Sequence, residues 1–267
     1  MSGSKSIEET RPQRVRQHFF IPIDESTFFA KLDEVIEQSK LPFRDNAKTF
    51  KRNLESVMLT VAVPFHLTVA GVHRLRFQQL HLAEKIRSLK SSAENESEEE
   101  EAQKRALAIA RDRFSKEQEL PENIKLLSNK ILDTLEENLE QEEFARASSE
   151  LLRQGVVSAW GALEVLVQDL VATLLNARPD VAVILLSHER TKALFQLKAL
   201  PLGTLAAHNF NVSESLGSIL IRQRSVDTVP VMKSVFSVLL PQSEKLREIL
   251  DRKELWIFES AATFACA

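Results

Sequence analysis

The feature that most constrains this chain is a long stretch whose apolar residues recur alternately at steps of four and three. That spacing places them along one side of an α-helix, whereas a strand would need alternation at every second residue. Trp160, Val167 and Val171 form a second apolar row beside the first, and Glu164 lies within this row. The pattern predicts a long helix that other helices must cover. The first row comprises Leu152, Val156, Ala159, Leu163, Leu166 and Leu170.

Further helices are predicted on both sides of this stretch. Pro179 stops the long helix, and capping side chains predict new helices from Ser187, from Ser213, after Asp227 and from Ser243. Helical spacing also recurs through the first half of the chain. We therefore predict an all-α fold, with a bundle of about five helices in the C-terminal half and an additional N-terminal helical region.

The amino-acid composition argues against several kinds of fold and functional site. Six glycines in 267 residues argue against a turn-rich β-sandwich and against a glycine-rich phosphate loop. The single cysteine, Cys266, excludes an internal disulfide and a cysteine-based zinc site, which fits a reducing compartment. The net charge of −3 provides no general attraction to nucleic acid, so RNA binding would need a local basic patch.

The apolar content does not predict a membrane protein. Residues 1–16 are polar and contain no apolar signal core. The most apolar long stretch, residues 155–175, carries Glu164, Gln168 and Asp169, which favours a buried amphipathic helix over a membrane span. We expect a cytoplasmic protein without a membrane association.

Three regions are expected along the chain. Residues 1–17 are predicted to be a flexible tail, residues 18–101 a mostly helical region that ends in an acidic linker, and residues 102–267 the helical bundle. The acidic run at residues 98–101 is compatible with a loop or with the start of a solvated helix. Residues 57–63 are dense in branched side chains, so both a helix and a short strand stay open there.

The second half resembles a known family of helical domains that act on RNA. The helix over residues 155–170 is similar to the first long helix of the HEPN family, in the branch named RiboL-PSP-HEPN. The order of the later pieces is also similar, and the match covers residues 145–258, whereas residues 1–140 carry no such resemblance. These later pieces are Leu194-Phe195, residues 209–217, residues 224–227, residues 235–240 and residues 251–256.

The resemblance implies a bundle of four or five helices that is usually dimeric. Active HEPN members are metal-independent endoribonucleases of toxin–antitoxin and antiviral systems. They carry an arginine, followed after four to six residues by a histidine, near the start of the final helix. Such a pair moves protons and stabilises charge while an RNA 2′-hydroxyl attacks the adjacent phosphate.

This chain departs from the family at that motif. After Phe258 the family continues into a segment like Arg-His-Leu-x-Val-His, but here Glu259 follows and no arginine or histidine comes after it. We therefore predict no catalytic residues, no cofactor and no metal ligands. A reading frame shifted by one nucleotide at Glu259 permits Arg-Arg-His-Leu-His-Val-His, so a frameshift or gene-model error near Phe258 is one interpretation. A divergent natural end is the other.

Arginine–histidine pairs of suitable spacing also occur outside the resembling half. Arg76 and His81 are separated by four residues, while Arg74/His81 and Arg11/His18 are separated by six. About one such coincidence is expected by chance in a chain with this content. We predict that none of these pairs is catalytic.

Four residues are candidates for a polar site in the bundle. Glu164 lies in an apolar row, so it needs a raised pKa or a partner, and an ion pair with Arg222 or Arg224 is the favoured interpretation over a cleft role. Arg222, Arg224 and Arg252 are possible phosphate-facing residues, although acidic residues among them favour a mixed solvated surface. The spacing of His66, His73 and His81 favours packing or surface positions over a metal site.

Two function hypotheses follow from the sequence. The first is a HEPN-like protein of an RNA-targeting system that lacks cleavage activity because the arginine–histidine motif is missing. The alternative is a non-catalytic helical interaction or regulatory protein, such as an antitoxin or immunity factor. The possible partners are RNA, a second copy of the chain through the bundle, and another protein.

Overall fold

The fold is helical wherever the chain can be described. A computed structural model describes residues 11–22, 25–89, 96–195, 203, 206, 212 and 214–265, and no strand occurs within them. The predicted all-α fold class is confirmed. The helices are α1 Arg11–His18, α2 Glu25–Gln38, α3 Phe43–Val61, α4 Val63–Leu89, α5 Glu96–Glu119, α6 Pro121–Leu139, α7 Glu142–Ala177, α8 Pro179–Ser187, α9 Glu189–Lys192, α10 Leu216–Gln223, α11 Val229–Leu239, α12 Glu244–Asp251 and α13 Lys253–Ala265.

The chain divides into two compact units. Unit 1 comprises Met1–Ile21 and Val61–Leu152, and unit 2 comprises Pro22–Thr60 and Arg153–Ala267. This division differs from the domain boundary predicted after residue 101. The acidic run begins α5, and α5 packs along α4 through the buried small side chains of Ala102, Ala106 and Ala110. Glu99, Glu100 and Glu101 are exposed within this packed helix and do not form a linker.

Unit 1 has a small apolar core of its own. Val15, Phe19 and Leu135 are buried together, and the Phe19 ring lies 5.8 Å from the Phe144 ring. The predicted flexible tail is thus wrong from residue 11 onward, because α1 packs on α6 and buries Val15, and Phe19 is buried directly after the end of α1. Residues 1–10 lie outside the described residues. Two apolar residues one turn apart provide the apolar face that orders this short helix.

An ion pair also joins two helices of unit 1. Glu84 on α4 is 7% exposed, and one of its oxygens lies 2.7 Å from Arg87 Nη1 and 2.6 Å from Arg113 Nη1. Arg113 belongs to α5, so the carboxylate links the two helices. A carboxylate buried this deeply requires such partners, because removal from water disfavours its charged form.

The segment left open between helix and strand is helical. Its residues form the end of α3 and the start of α4, with Ala62 buried at the break. Pro64 follows in the first turn of α4, where its missing N–H leaves no intrahelical acceptor unsatisfied.

The core of unit 2 is built on α7. Trp160, Val167, Val171 and Leu175 are buried in one cluster with residues of α8, α10 and α11, of which Val235 is fully buried. This second apolar row lies deeper than the first, since Val156 and Leu163 are only partly buried at the edge of the cluster. The long helix predicted from apolar spacing is therefore the central helix of this unit.

The connections after α7 differ in detail from the prediction. Ser187 ends α8, which begins at Pro179, and the helix that follows is the single turn α9 after His188. The remaining starts are close, at Leu216, at Val229 after Asp227 and at Glu244 after Ser243, and α13 is one helix more. Most of residues 209–213 lie outside the described residues.

Helix α7 also bears on membrane association. It is long and apolar enough to span a bilayer by length and composition, and α3 with α4 reaches the same threshold only as a broken pair. One helix of this kind is weak evidence for a membrane span, because a core helix can pass the same test of length and composition. Within α7, Gln168 donates a hydrogen bond to Ser225 Oγ at 2.8 Å.

Candidate functional site

Glu164 lies on α7 within the second apolar row, as the sequence predicts. The indole Nε1 of Trp160, one turn earlier, donates a hydrogen bond to Glu164 Oε1. Trp160 is buried, and its ring meets the ring of Phe258 edge to face at 5.9 Å. The carboxylate of Glu164 is therefore held at the contact between α7 and α13.

Two further carboxylates interact with Glu164 from other segments of unit 2. Asp227 precedes α11, and Glu259 belongs to α13. Glu259 Oε1 accepts a hydrogen bond at 3.1 Å from the backbone N–H of Val229, the first residue of α11. A carboxylate at a helix N-terminus satisfies an N–H that has no partner within the helix. We refer to Glu164, Asp227 and Glu259 as the carboxylate cluster.

The electrostatics of the cluster disfavour a full set of negative charges. Burial raises the pKa of Glu164 above its ordinary value, and the negative charges of Asp227 and Glu259 raise it further. The hydrogen bond from Trp160 opposes this effect, because it stabilises the ionised carboxylate. Burial also raises the pKa of Asp169, on the same helix.

The expected ion pair between Glu164 and an arginine is wrong. The partner of Glu164 is Trp160 on its own helix, while Arg222 and Arg224 at the end of α10 are exposed. The spacing of four residues between Trp160 and Glu164 could have predicted this hydrogen bond, because side chains one turn apart are neighbours on a helix. The two arginines remain exposed candidates for contact with phosphate.

Arg252 lies in a different environment. It is exposed between α12 and α13 and shares an open surface groove with Arg247 and three acidic residues. The acids are Glu244, Glu248 and Asp251. This mixed-charge groove offers a phosphate little net attraction.

Helix α13 carries Glu259 directly after Phe258, at the point where the sequence resemblance to HEPN proteins ends. Phe258 packs against Trp160, and Glu259 is occupied by its hydrogen bond to Val229. No arginine or histidine occurs between Lys253 and Ala265. Among the described residues of this helix, the arginine and histidine that HEPN proteins use are absent, and Glu259 is the ionisable side chain next to Phe258.

The arginine–histidine pairs of unit 1 have other contacts. Arg76 Nε and Nη2 donate to the two oxygens of Glu117 at 2.9 and 2.8 Å, and this hydrogen bonding raises the pKa of Arg76. His81 stacks on Phe77 with ring centroids 6.3 Å apart. His18 Nδ1 lies 3.1 Å from Ser149 Oγ, and the side chain of Arg11 lies outside the described residues.

The other histidines of α4 contact aromatic rings. His66 lies 5.8 Å from the Phe65 ring, and His73 lies 5.8 Å from the Phe114 ring, which fits the expected packing positions. In the part of the chain that the structure describes, no three histidine, cysteine or acidic residues are arranged to hold a metal ion.

We compared the chain with known proteins. No family model, curated protein or solved structure matches it. Any function must therefore be argued from the residues and the contacts of this chain.

Sequence reasoning missed two members of the carboxylate cluster. The sequence marks Glu259 only as the position where the arginine–histidine segment of the HEPN family is missing. It marks Asp227 only as a residue that precedes a predicted helix. Their convergence on Glu164 depends on packing between α7, α11 and α13, which spacing along the chain does not reveal.

Proposed function

We propose that this chain is a HEPN-like protein of an RNA-targeting system that binds RNA without cleaving it. The observation that carries the proposal is the carboxylate cluster at the contact of α7 and α13. Glu259 follows Phe258 directly, where the family continues into its arginine–histidine segment, and its neighbours Glu164 and Asp227 are also acidic.

An acidic cluster opposes the family's chemistry for a simple electrostatic reason. Cleavage requires a cation near a phosphate whose negative charge increases in the transition state. Ionised carboxylates at this place repel the phosphate, and a carboxyl group supplies no cation in either state of protonation. The proposal is therefore a HEPN-like bundle that has lost the RNA-cleaving activity of the family.

RNA contact is assigned to exposed cations of unit 2. Arg222 and Arg224 stand at the end of α10, exposed to solvent, and neither pairs with Glu164. Arginine forks bind phosphate oxygens through charge-assisted hydrogen bonds. Arg252 contributes less, because three acids share its groove.

Fluorescence anisotropy with labelled single-stranded RNA in EDTA tests this assignment. We expect binding that weakens with salt, and a loss of about tenfold in affinity in the Arg222→Ala/Arg224→Ala variant, at roughly one phosphate contact for each arginine. The matched control is Lys104→Ala/Arg105→Ala, which removes two exposed cations of α5. Absence of RNA binding, or an equal loss in both variants, would overturn the RNA assignment.

A non-catalytic interaction protein is the second candidate. The observation that favours it is a row of exposed apolar side chains along α4, with Leu67, Leu75 and Leu82 between 59% and 68% exposed. Val63 and Ile86 extend the row in both directions. Contiguous exposed apolar surface of this kind is typical of protein contact sites.

Light scattering on the purified chain examines this second candidate. A dimer that Leu75→Glu/Leu82→Glu converts to a monomer would support self-association through α4. If wild type and variant are both monomers, the row does not mediate self-association. A pull-down with the wild-type chain and with the variant then decides whether the row binds a different protein, and absence of a captured partner removes this candidate. For either function we propose a cytoplasmic location without membrane insertion.

A further inference from the structure

Unit 1 has an open groove beside the exposed leucine row of α4. One part of it, with a volume of about 310 Å³, lies between the start of α4 and the end of α6. A second part, of about 390 Å³, lies between the middle of α4 and the start of α6. Val72 and Leu75 line both parts, so together they form one groove, which we call the α4–α6 groove. It follows α4 from Pro64 to Gln79, a distance of about 22 Å.

Apolar side chains form both walls of the α4–α6 groove. Leu67 and Leu75 stand on the α4 side, and Leu126, which is 66% exposed, stands on the α6 side. Gly71 lies between the two leucines of α4, and a methyl group there would meet nothing within 4 Å. The wall is therefore low at this point, where the backbone of another segment can approach closely. A concave apolar surface of this length suits the apolar face of a helix.

The lining of the groove carries no net charge. Its ionisable side chains in the described part of the chain are Arg76, Glu117, Lys130 and Asp133. Arg76 already donates to both oxygens of Glu117, which leaves this pair with little attraction for another charged group. The lining therefore favours an apolar ligand, and a preference for one sign of charge must come from the border of the groove.

The border of the groove along α4 is cationic. Arg74 follows Gly71 by three residues and Lys85 follows Leu82 by three, so each cation stands beside the leucine row. The two cations are eleven residues apart, or about three turns, which places both on the same side of α4. Glu84 is the one acidic residue of this helix, and it is buried beside two arginines. The exposed surface of α4 therefore attracts acidic groups.

We propose that the α4–α6 groove binds an amphipathic helix of another protein, whose apolar face is bordered by acidic side chains. The leucine row and Leu126 contact the apolar face, and Arg74 and Lys85 pair with the acids. The inference rests on the second candidate function, in which the α4 row binds a protein, and it names the chemistry of that partner. Contact between two copies through α4 is disfavoured, because it places like charges on both sides of the contact. A flat membrane surface leaves the groove unfilled.

Two synthetic peptides test the proposal on the full-length chain. Each is a labelled amphipathic helix of about 18 residues with the same leucine face, and this face is bordered by glutamates in one peptide and by lysines in the other. Fluorescence anisotropy measures their binding. We expect the glutamate peptide to bind saturably and about tenfold more tightly than the lysine peptide, because the border cations attract one and repel the other.

Substitutions in the groove separate the apolar contribution from the charged one. Leu75→Glu and Leu126→Glu should each weaken binding of the glutamate peptide by roughly tenfold or more, because a charge then faces the leucines of the peptide. Arg74→Glu/Lys85→Glu should reverse the preference, so that the lysine peptide binds more tightly than the glutamate peptide. A variant that fails to fold loses both peptides, so this reversal reports the border charges and not the stability of unit 1.

The matched controls lie on α5. Ile109→Glu places a charge at an exposed apolar position, and Lys104→Glu/Arg105→Glu reverses two exposed cations, so neither should change binding. The proposal is overturned if the glutamate peptide does not bind, if the lysine peptide binds as tightly, or if the controls match the groove variants. Binding to phosphatidylserine vesicles that Leu75→Glu abolishes, without peptide binding, would overturn it in favour of a membrane surface. A dimer that Leu75→Glu/Leu82→Glu dissociates, again without peptide binding, would overturn it in favour of a second copy, and the second candidate function would still stand.

Discussion

At the scale of single residues, the surroundings of Glu164 determine the direction in which the pKa of its carboxyl group shifts. Burial and two neighbouring acids raise its pKa, so the folded protein holds a proton there at pH values where the unfolded chain has released it. Folding stability therefore falls as the pH rises from the ordinary glutamate pKa through the raised pKa of the folded state. Above that range the cost of burying the charge is fully present.

Glu164→Gln should consequently stabilise the protein at neutral pH. The amide is uncharged, and its oxygen can still accept the hydrogen bond from Trp160. The gain should shrink as the pH is lowered toward 4, because the wild-type carboxyl is then protonated. Thermal unfolding followed by circular dichroism between about pH 4 and 7 measures the difference.

The control for this prediction is Asp180→Asn. A hydrogen bond from Arg178 lowers the pKa of Asp180. The contribution of Asp180 to folding stability therefore has the opposite pH dependence to that of Glu164. It is present above the ordinary aspartate pKa and is lost as the pH falls through the lowered pKa of the folded state. Asp180→Asn should therefore be neutral or slightly destabilising at pH 7. An unchanged or lower melting temperature for Glu164→Gln at pH 7 would contradict the account of Glu164.

At the scale of helices, the crossing of α7 and α10 depends on one glycine. A methyl group on Gly217 would lie 2.2 Å from the carbonyl oxygen of Ala172, so the two backbones could not approach as they do. Asn176 fixes the same crossing, since its Oδ1 accepts from Gly217 N at 2.8 Å and its Nδ2 donates to Ser218 Oγ at 3.1 Å. An asparagine from α7 thus caps the N-terminus of α10 in place of a local residue.

Gly217→Ala should destabilise unit 2 by about 1–3 kcal/mol, the usual cost of inserting a group into a filled contact. Gly161→Ala is the matched control, because a methyl group at Gly161 meets nothing within 4 Å. In the middle of α7 that substitution should stabilise by about 0.5–1 kcal/mol. Urea unfolding of both variants measures the two signs, and equal effects would mean that the crossing is not as close as described.

At the scale of the whole molecule, the sequence predicted elements better than their arrangement. Helical spacing at residues 152–170 identified α7, and Pro230 and Ser243 marked the starts of α11 and α12, because these signals are local. The sequence did not predict that residues 11–18 form an ordered helix, because Val15 is buried by Leu135, which lies 120 residues away along the chain. The boundary predicted after residue 101 differs from the observed units for the same reason, because α5 packs on α4 through alanines that carry almost no sequence signal.

The candidate site was predictable in part. An acid within an apolar row identified Glu164, and the missing arginine–histidine pair identified the end of the resemblance to HEPN proteins. The partners of Glu164 come from three segments that meet only in the fold, and the α4–α6 groove draws residues from four helices. Such groupings depend on tertiary packing, which a single sequence does not encode in its spacing.

The central proposal is that this chain, whose second half resembles HEPN proteins in sequence, does not cut RNA at the contact of α7 and α13. Incubation of the purified chain with end-labelled single-stranded RNA in EDTA, followed by electrophoresis, tests that claim directly. The account predicts that the RNA remains intact over hours at protein concentrations that bind it. Fragments ending in a 2′,3′-cyclic phosphate, produced by wild type and by an Arg76→Ala/His81→Ala variant but lost in Glu259→Ala, would contradict it.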